Sequence, residues 1–493
     1  MIARLSEASA AFARRWVPDP FVLAVLLTGV TFGVAFAAAP GGAGERLALL
    51  LGAWGGKQGL WQPALLEFTV QIALVLVTGH ALASTPPVRR LADAVARRPR
   101  SAAGAAAWTA AVACAAGLFN WGLGLIVGAL VARQVGASAR ARGVRVHYPL
   151  VVAAGYAGML VWHGGLSASA PLKVTSGPDV LAVVRDPAVV ARIGALVAAR
   201  DPAFADGAIP TTHTLLSPTN LAVAALLLVL VPLAFALMAP RDPEACQEIP
   251  EDLAREALAS PPGDGAEAAG DAPPALAGPR SPAERLDRAR WVPWVLVALG
   301  LGHLGLRLRA EGWGLVLRLD LNTINLAFLL LGLALHGSAR AYAAAVAEAV
   351  AGASGILLQF PLYFGVMALM TASGLVGAIA DAMVALSEGR TWLYPILTFL
   401  SAGLVNVFVP SGGGQWAVQG PVVLTGAARL GVDPGACVLA LAYGDQWTNM
   451  AQPFWALPLL GLCRVRAGDV MGYTLVAMVL VAPVFVLAVA LAA

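Results

Sequence analysis

Charge is scarce in this sequence. Aspartate, glutamate, lysine and arginine make up 12% of its 493 residues, and among the 32 basic residues lysine occurs only twice, at Lys57 and Lys173. With 59% hydrophobic residues and a mean hydropathy of +0.76, the chain has too little polar surface to cover a soluble globule, which excludes a water-soluble fold. The net charge of +4 sits in arginine-bearing loops, so it points to no nucleic-acid partner. Cysteine is also rare. Cys114, Cys246, Cys437 and Cys463 are scattered and form no C-x-x-C pair, which excludes a disulfide framework and a zinc site. H-E-x-x-H and paired acids are missing, and only His163 and Ser167, four apart, hint at a nucleophile pair. The chain is therefore read as a non-enzyme without a cofactor. No cleavable signal peptide is expected, because Arg4, Arg14 and Arg15 lead into a full-length apolar run.

What is present is a series of apolar runs long enough to cross the ~30 Å hydrocarbon core of a bilayer, at about 21–39, 64–84, 148–169, 219–238, 291–306, 321–337, 350–372, 436–462 and 470–491. Two of the more polar interruptions look alike. Gln71 and Ala92-Asp93-Ala94 recur as Gln359 and Ala380-Asp381-Ala382, Ala116-Gly117-Leu118-x-Asn120 recurs as Ala402-Gly403-Leu404-x-Asn406, and Tyr156 with Pro171 recurs as Tyr443 with Pro458. A shared order at a nearly fixed offset points to duplication. Arginines then orient the halves. Arg89, Arg90, Arg97, Arg98 and Arg100, and after them Arg133, Arg140, Arg142 and Arg145, follow the first half's segments, whereas the second half has only Arg390 and Arg429, offset by Asp381, Glu388 and Asp433. By the positive-inside rule the first set is cytoplasmic and the second external, and the N-terminus is cytoplasmic. The fold expected is an all-α polytopic membrane protein of two inverted-topology repeats, each with a re-entrant helical hairpin and an interrupted transmembrane helix.

Residues 1–239 form the N-terminal half, with a hairpin at 101–132 and an external loop at 172–217; residues 291–493 form the C-terminal half, with a hairpin at 391–428. The first hairpin is inferred because its uncharged 32 residues are too short for two spans, while a single span would separate the arginines at its two ends, which belong on the same side. Residues 240–290, rich in Pro, Ala, Gly and mixed charge, read as a poorly ordered cytoplasmic linker. Residues 86–98 pattern as an interfacial amphipathic helix. Glu67, Gln71, His80 and Gln359 read as helix-to-helix hydrogen bonders.

Pro410-Ser411-Gly412-Gly413-Gly414-Gln415-Trp416 breaks the backbone inside the second hairpin. Such a break at membrane depth is tolerated where protein buries it or it lines a cavity. Its amides, unshielded by side chains, with the Ser411 hydroxyl and the Gln415 amide, suit a small carboxylate. The alternative is close glycine packing. Asn120 and Asn406 hold matching places in the two hairpins, as ligands or caps; Trp121, Gly122 and Gly124 beside Asn120 are a weaker signal. Tyr443-Gly444-Asp445-Gln446-Trp447-Thr448-Asn449-Met450-Ala451-Gln452-Pro453 adds Asn449 and Gln452 as candidate substrate contacts. Asp445, with Thr448 and His163, is the candidate site for a coupling Na⁺ or proton, since an acid at that depth needs a partner.

Several long stretches make the sequence resemble the bacterial short-chain fatty acid transporter family of the AtoE type: WVPDPFVLAVLLTGVTF from Trp16, VTGHALAS from Val77, NWGLGLIVGALVAR from Asn120, PSGGGQW followed by QGP, and AYGDQWTNMAQPFWALP from Ala442. The resemblance spans most of the chain and is weakest at 172–217 and the linker. It implies an inner-membrane carrier for short-chain fatty acids such as acetoacetate or butyrate, working by cation symport and elevator-like movement. The family tends to have His where Gln415 stands and Glu where Asp445 stands. Another small organic anion or a dicarboxylate as substrate, a passive anion channel, and a homodimer all remain open at this point.

Overall fold

A computed structural model describes residues 1–204, 206–258, 281–312, 321–350 and 353–492. All regular secondary structure among the described residues is helical, with no strand among them. Among the described residues, eight helices are long and apolar enough to cross a membrane, Pro20–Ala38, Pro63–Ala83, Ala102–Phe119, Trp121–Ala141, Pro218–Met238, Trp291–Ala310, Ser354–Ala372 and Ala467–Leu491. This is a multi-pass membrane protein. Its helices sort into inner and outer members: 83% of the apolar window of Trp121–Ala141 is buried against 11% of that of Trp291–Ala310, so the outer helices leave apolar faces for lipid.

Two helix pairs joined by tight turns stand where the hairpins are expected. Ala102–Phe119 and Trp121–Ala141 turn at Asn120, whose side chain accepts from the Leu123 amide and caps the second arm. Leu393–Phe408 and Gly412–Leu430 turn at Pro410 and Ser411, where the Ser411 hydroxyl accepts from the Gly414 amide. One expectation needs correction. The second arm of the first hairpin does not stop at 132 but continues to Ala141, so Arg133 and Arg140 lie on a helix, and each arm alone is long enough to span. An uncharged stretch underestimates a helix whose last turns are anchored by buried ion pairs.

The runs at 148–169 and 436–462 are interrupted, as the polar residues in them imply. The first is α-helical only over Tyr148–Tyr156 and then passes through the 3₁₀ turns Ala157–Leu160 and Trp162–Gly164. The second is Pro434–Thr448, a turn at Asn449–Ala451, and Leu457–Cys463. Glycine allows both to press against the hairpin arms: a Cβ at Gly128 would lie 1.9 Å from the Gly155 carbonyl oxygen, and one at Gly444 would lie 2.2 Å from that of Phe399.

Two segments differ from their sequence reading, and a third, the N-terminal helix, is not assigned by it. Residues 172–217 are not a plain loop, since Gly177–Val184 and Pro187–Ala198 share a hydrophobic cluster with the second hairpin through Val180, Ile193, Tyr394 and Leu424. Ile2–Trp16 is a helix packed on Ala467–Leu491, with Ser6, Ala10 and Ala13 buried. Finally, the first part of the expected linker is docked rather than solvated. Glu251–Leu258 buries Leu253, Ala254 and Ala257 beside Trp121–Ala141, while Arg140 pairs with Glu248 at 3.1 Å. The remainder of the linker's middle, 259–280, lies outside the described residues. Residues 86–98 do contain the expected helix, Pro86–Ala96.

His147 holds this docked segment. Its Nδ1 accepts from the Gln247 amide at 3.0 Å, so Nε2 carries the proton and faces the Tyr473 hydroxyl at 2.9 Å. Burial, reinforced by Arg14 and opposed by the Ala245 backbone and Asp469, lowers the imidazole from 6.5 to about 4. The unfolded chain therefore takes up a proton as pH falls through 6.5, while the folded protein does not until about pH 4. The stabilisation is complete above pH 6.5 and is lost as pH falls toward 4, by at most ~3 kcal/mol. In detergent, the thermal-stability advantage of the wild type over His147→Gln should shrink between about pH 7 and pH 5. An advantage independent of pH would exclude His147 as the titrating group.

Candidate functional site

The two interrupted helices meet at their breaks. The Gln446 Oε1 accepts from the His163 amide at 2.9 Å and the Gly164 amide at 3.2 Å, and the Tyr156 hydroxyl donates to the Asn449 carbonyl at 3.0 Å. Asn220, at the start of Pro218–Met238, donates to the Gly164 carbonyl at 2.8 Å and accepts from the Tyr443 hydroxyl at 2.9 Å. Amide side chains thus take up backbone groups that a continuous helix would have paired.

The second hairpin is stitched into this junction by Asn406, which is fully buried. Its Nδ2 donates to the Asp445 carbonyl at 2.8 Å, the Asn449 Oδ1 at 2.9 Å and the Thr448 Oγ1 at 3.1 Å, and its carbonyl accepts from the Gln452 amide. Asp445 meets His163, one of the two residues grouped with it from the sequence. Its Oδ2 is in ion-pair contact with the His163 Nδ1, and both side chains are buried. Because the His163 Nε2 accepts from the Ala170 amide at 3.2 Å, the neutral ring carries its proton on Nδ1, facing the carboxylate. The two approach closely but out of hydrogen-bond alignment, and neither carboxylate oxygen has a hydrogen-bond partner. Trp162 stacks on the His163 ring at 4.2 Å.

The hairpin tip closes over this pair. A Cβ added at Gly412 would lie 2.7 Å from Trp162, 2.9 Å from His163 and 3.0 Å from the Asp445 Oδ2. At Gly413 a Cβ would meet nothing within 4 Å, and at Gly414 it would meet Met367 and Ser411. The Ser411 amide donates to the Val409 carbonyl and the Gly414 amide to the Ser411 hydroxyl, leaving Gly412 and Gly413 as the helix's first, unsatisfied N–H groups. The Asn406 Oδ1, Asn449 Nδ2 and Gln452 Oε1 are likewise buried without partners. The cluster therefore offers amide donors, a carboxylate, an imidazole and free amide oxygens within one buried junction.

The first hairpin's tip lies beside it. The Trp121 amide donates to the Ser167 Oγ at 2.9 Å, so Ser167 is not paired with His163 as a nucleophile. The Trp121 ring lies 6.4 Å from Trp162 and 5.0 Å from Trp455, and this aromatic bridge joins the two tips. Asn120 and Trp121, with Phe68, Gln71, Ser167 and Asn322, line a cleft of about 850 Å³. Gly122 faces Asn120 and Leu321 at ordinary contact distance.

Three candidates take other roles. Gly124 faces the Gly117 backbone, where a Cβ would lie at 2.7 Å, so it serves hairpin packing. The Gln415 Nε2 is used inside the hairpin, by the Ala402 carbonyl and the Gln419 Oε1, each at 2.9 Å. Trp416 is buried in the cluster under 172–217. Gln446, Trp162 and Asn220 escaped the sequence reading as site residues. Gln446 stands beside Asp445 in the same polar stretch, whereas Asn220 reads as an ordinary helix start after Ser217-Pro218.

A family model described as short chain fatty acid transporter matches residues 1–492. Two curated relatives carry names that assign them provisionally as short-chain fatty acid transporters. The one from Escherichia coli strain K12 is 36% identical over 491 residues, and the one from Haemophilus influenzae is 34% identical over 490. Each alignment covers 99% of this chain and 99% of the relative. Among solved structures, the YdaH transporter of Alcanivorax borkumensis aligns over 96% of this chain and 98% of its own, at 16% identity and a TM-score of 0.40. MtrF of Neisseria gonorrhoeae aligns over 97% of both chains, at 12% identity and a TM-score of 0.38.

Proposed function

The chain belongs to the short-chain fatty acid transporter family, and from that premise we propose that it is a cation-coupled symporter of small monocarboxylates such as acetoacetate or butyrate in the bacterial inner membrane. The observation that carries this reading is the glycine tip at Gly412 and Gly413 standing over the buried His163–Asp445 pair. The substrate carboxylate accepts from the Gly412 and Gly413 amides, at the positive end of the helix Gly412–Leu430. No lysine or arginine lies in the second hairpin ahead of Arg429 or in 436–462, so oriented dipoles rather than a guanidinium hold the anion, and affinity is modest. The coupling cation neutralises Asp445. A proton would reside on the His163–Asp445 pair, whereas Na⁺ would take the Asp445 carboxylate, the Asn406 Oδ1 and the Thr448 Oγ1, hard oxygen ligands that its chemistry prefers. Asn120 and the aromatic bridge bound the acyl end from the first hairpin.

In this reading the two halves are inverted repeats with re-entrant hairpins, moving in an elevator-like cycle, and the N-terminus is cytoplasmic. A cysteine replacing Arg97 is then labelled only from the cytoplasm and one replacing Glu388 only from outside; both positions are exposed. Labelling of both from one side would remove the inversion.

Asp445→Asn removes the charge that the cation neutralises and nearly preserves shape. In proteoliposomes it should abolish gradient-driven accumulation while exchange of labelled for unlabelled substrate partly survives. Normal accumulation by the folded variant would end the coupling role.

Gly413 faces open space and Ser411 contributes one hydroxyl, so the two variants separate backbone from side-chain recognition. Gly413→Val should nearly eliminate butyrate-induced thermal stabilisation. Ser411→Ala, losing one hydrogen bond of ~0.5–1.5 kcal/mol, should weaken binding up to about tenfold. Wild-type stabilisation in Gly413→Val would take the hairpin tip out of the site.

A further inference from the structure

At the other end of helix Pro63–Ala83 lies a second cavity. It is reached at His80, about 14 Å along the axis from Gln71 in the cleft by Asn120. Its volume is about 660 Å³, and its lining includes Arg133, Glu256, Gln359, Leu457, Leu460 and Arg464. Arg133 comes from the first hairpin's second arm and is nine-tenths buried, with its Nε without a hydrogen-bond partner. Arg464 follows Leu457–Cys463 in the C-terminal half and adopts a left-handed backbone, φ 49°, that non-glycine residues rarely accept. Both guanidinium groups converge on the Glu256 carboxylate. Arg133 takes Oε1, and Arg464 takes Oε2 at 2.8 Å.

Glu256 belongs to neither half. It is carried in by Glu251–Leu258, a helix of eight residues from the segment between them, which buries three small or medium apolar side chains. Burial pushes the Glu256 carboxyl up, but Arg133 and Arg464 together outweigh it and hold the group below the usual glutamate range. A fork of two guanidiniums, one per oxygen, is the arrangement that recognises a free carboxylate. Leu457, Leu460 and Val465 continue the lining and offer an apolar wall for a short acyl tail. We propose that Arg133 and Arg464 form a second carboxylate site, at which a small monocarboxylate takes the place that Glu256 holds in this structure as helix Glu251–Leu258 withdraws. This site is separate from the hairpin tip and stands whether or not the tip binds substrate.

Acetate is the probe, because it replaces the side chain that Glu256→Ala removes. The full-length protein in detergent is melted in sodium acetate and in sodium chloride of equal ionic strength. Glu256→Ala should melt lower than wild type in chloride, and acetate should raise its midpoint by more than it raises that of wild type. That extra rise should vanish in Glu256→Ala/Arg464→Gln. An equal acetate effect in all three proteins would overturn the proposal and leave Glu256 as a fixed structural partner. Glu256→Gln, which keeps the helix contacts, gives a second reading by equilibrium dialysis with labelled acetate. It should bind acetate more tightly than wild type, because no carboxylate competes for the two guanidiniums, and Glu256→Gln/Arg464→Gln should lose that gain. An affinity in Glu256→Gln equal to that of wild type would equally refute the second site.

Discussion

Every backbone group freed where a helix breaks inside the bilayer must be satisfied by the protein itself, because lipid offers no partner. That constraint organises the centre of this molecule. Two helices break side by side, and the groups they release are taken up by amide side chains: Asn406 for the Asp445 carbonyl, Gln446 for the His163 and Gly164 amides, Asn220 for the Gly164 carbonyl. Each of these residues sits on a different segment from the group it serves, so the same bonds that satisfy the breaks also fix the second hairpin and the two halves against one another. Glycine does the complementary work, letting backbones approach where any side chain would hold them apart.

Some buried polar groups at this junction stay without hydrogen-bond partners. They include the Asn406 Oδ1, Asn449 Nδ2 and Gln452 Oε1, on residues that Asn406 ties together, while the Asp445 carboxylate meets the His163 ring in an ion-pair contact. A structural network built only for stability would close on itself, since an unsatisfied buried group costs ~1–3 kcal/mol. This one is closed on backbone groups but leaves side-chain capacity unused. Unused capacity at such a point is what a transiently occupied site requires.

Much of this was legible in the sequence, because broken helices advertise themselves. Pro410 through Gly414 and the polar run from Tyr443 have no place in a continuous span, and Asn120 and Asn406 mark the turns. His163 and Asp445 could be assigned to one site from the sequence, but their direct contact could not, because it joins residues 282 apart through tertiary packing alone. Nor was the docking of Glu251–Leu258 legible. Its composition is that of a solvated linker, and only the buried Arg133 and its partner Arg464, on segments far apart in sequence, give its acids something to bind. The end of the first hairpin failed for the same reason: Arg133 looks like a loop boundary until Glu256 is placed beside it. Gly124 shows the converse, a residue whose type suits a ligand site but whose neighbours absorb it into hairpin packing.

The contrast between Gly412 and Gly413 separates two uses of glycine that sequence cannot. At Gly412 the space for a side chain is already filled by Trp162, His163 and Asp445, so hydrogen is required for the tip to reach the pair at all. At Gly413 the space is empty, and packing alone would tolerate alanine, which has the higher helix propensity by roughly 1 kcal/mol. Under the proposed function, this open space beside the first amides of the helix is what lets a ligand come close to the backbone. A carboxylate fits that role, since it binds through N–H groups and needs the approach that a Cβ would narrow.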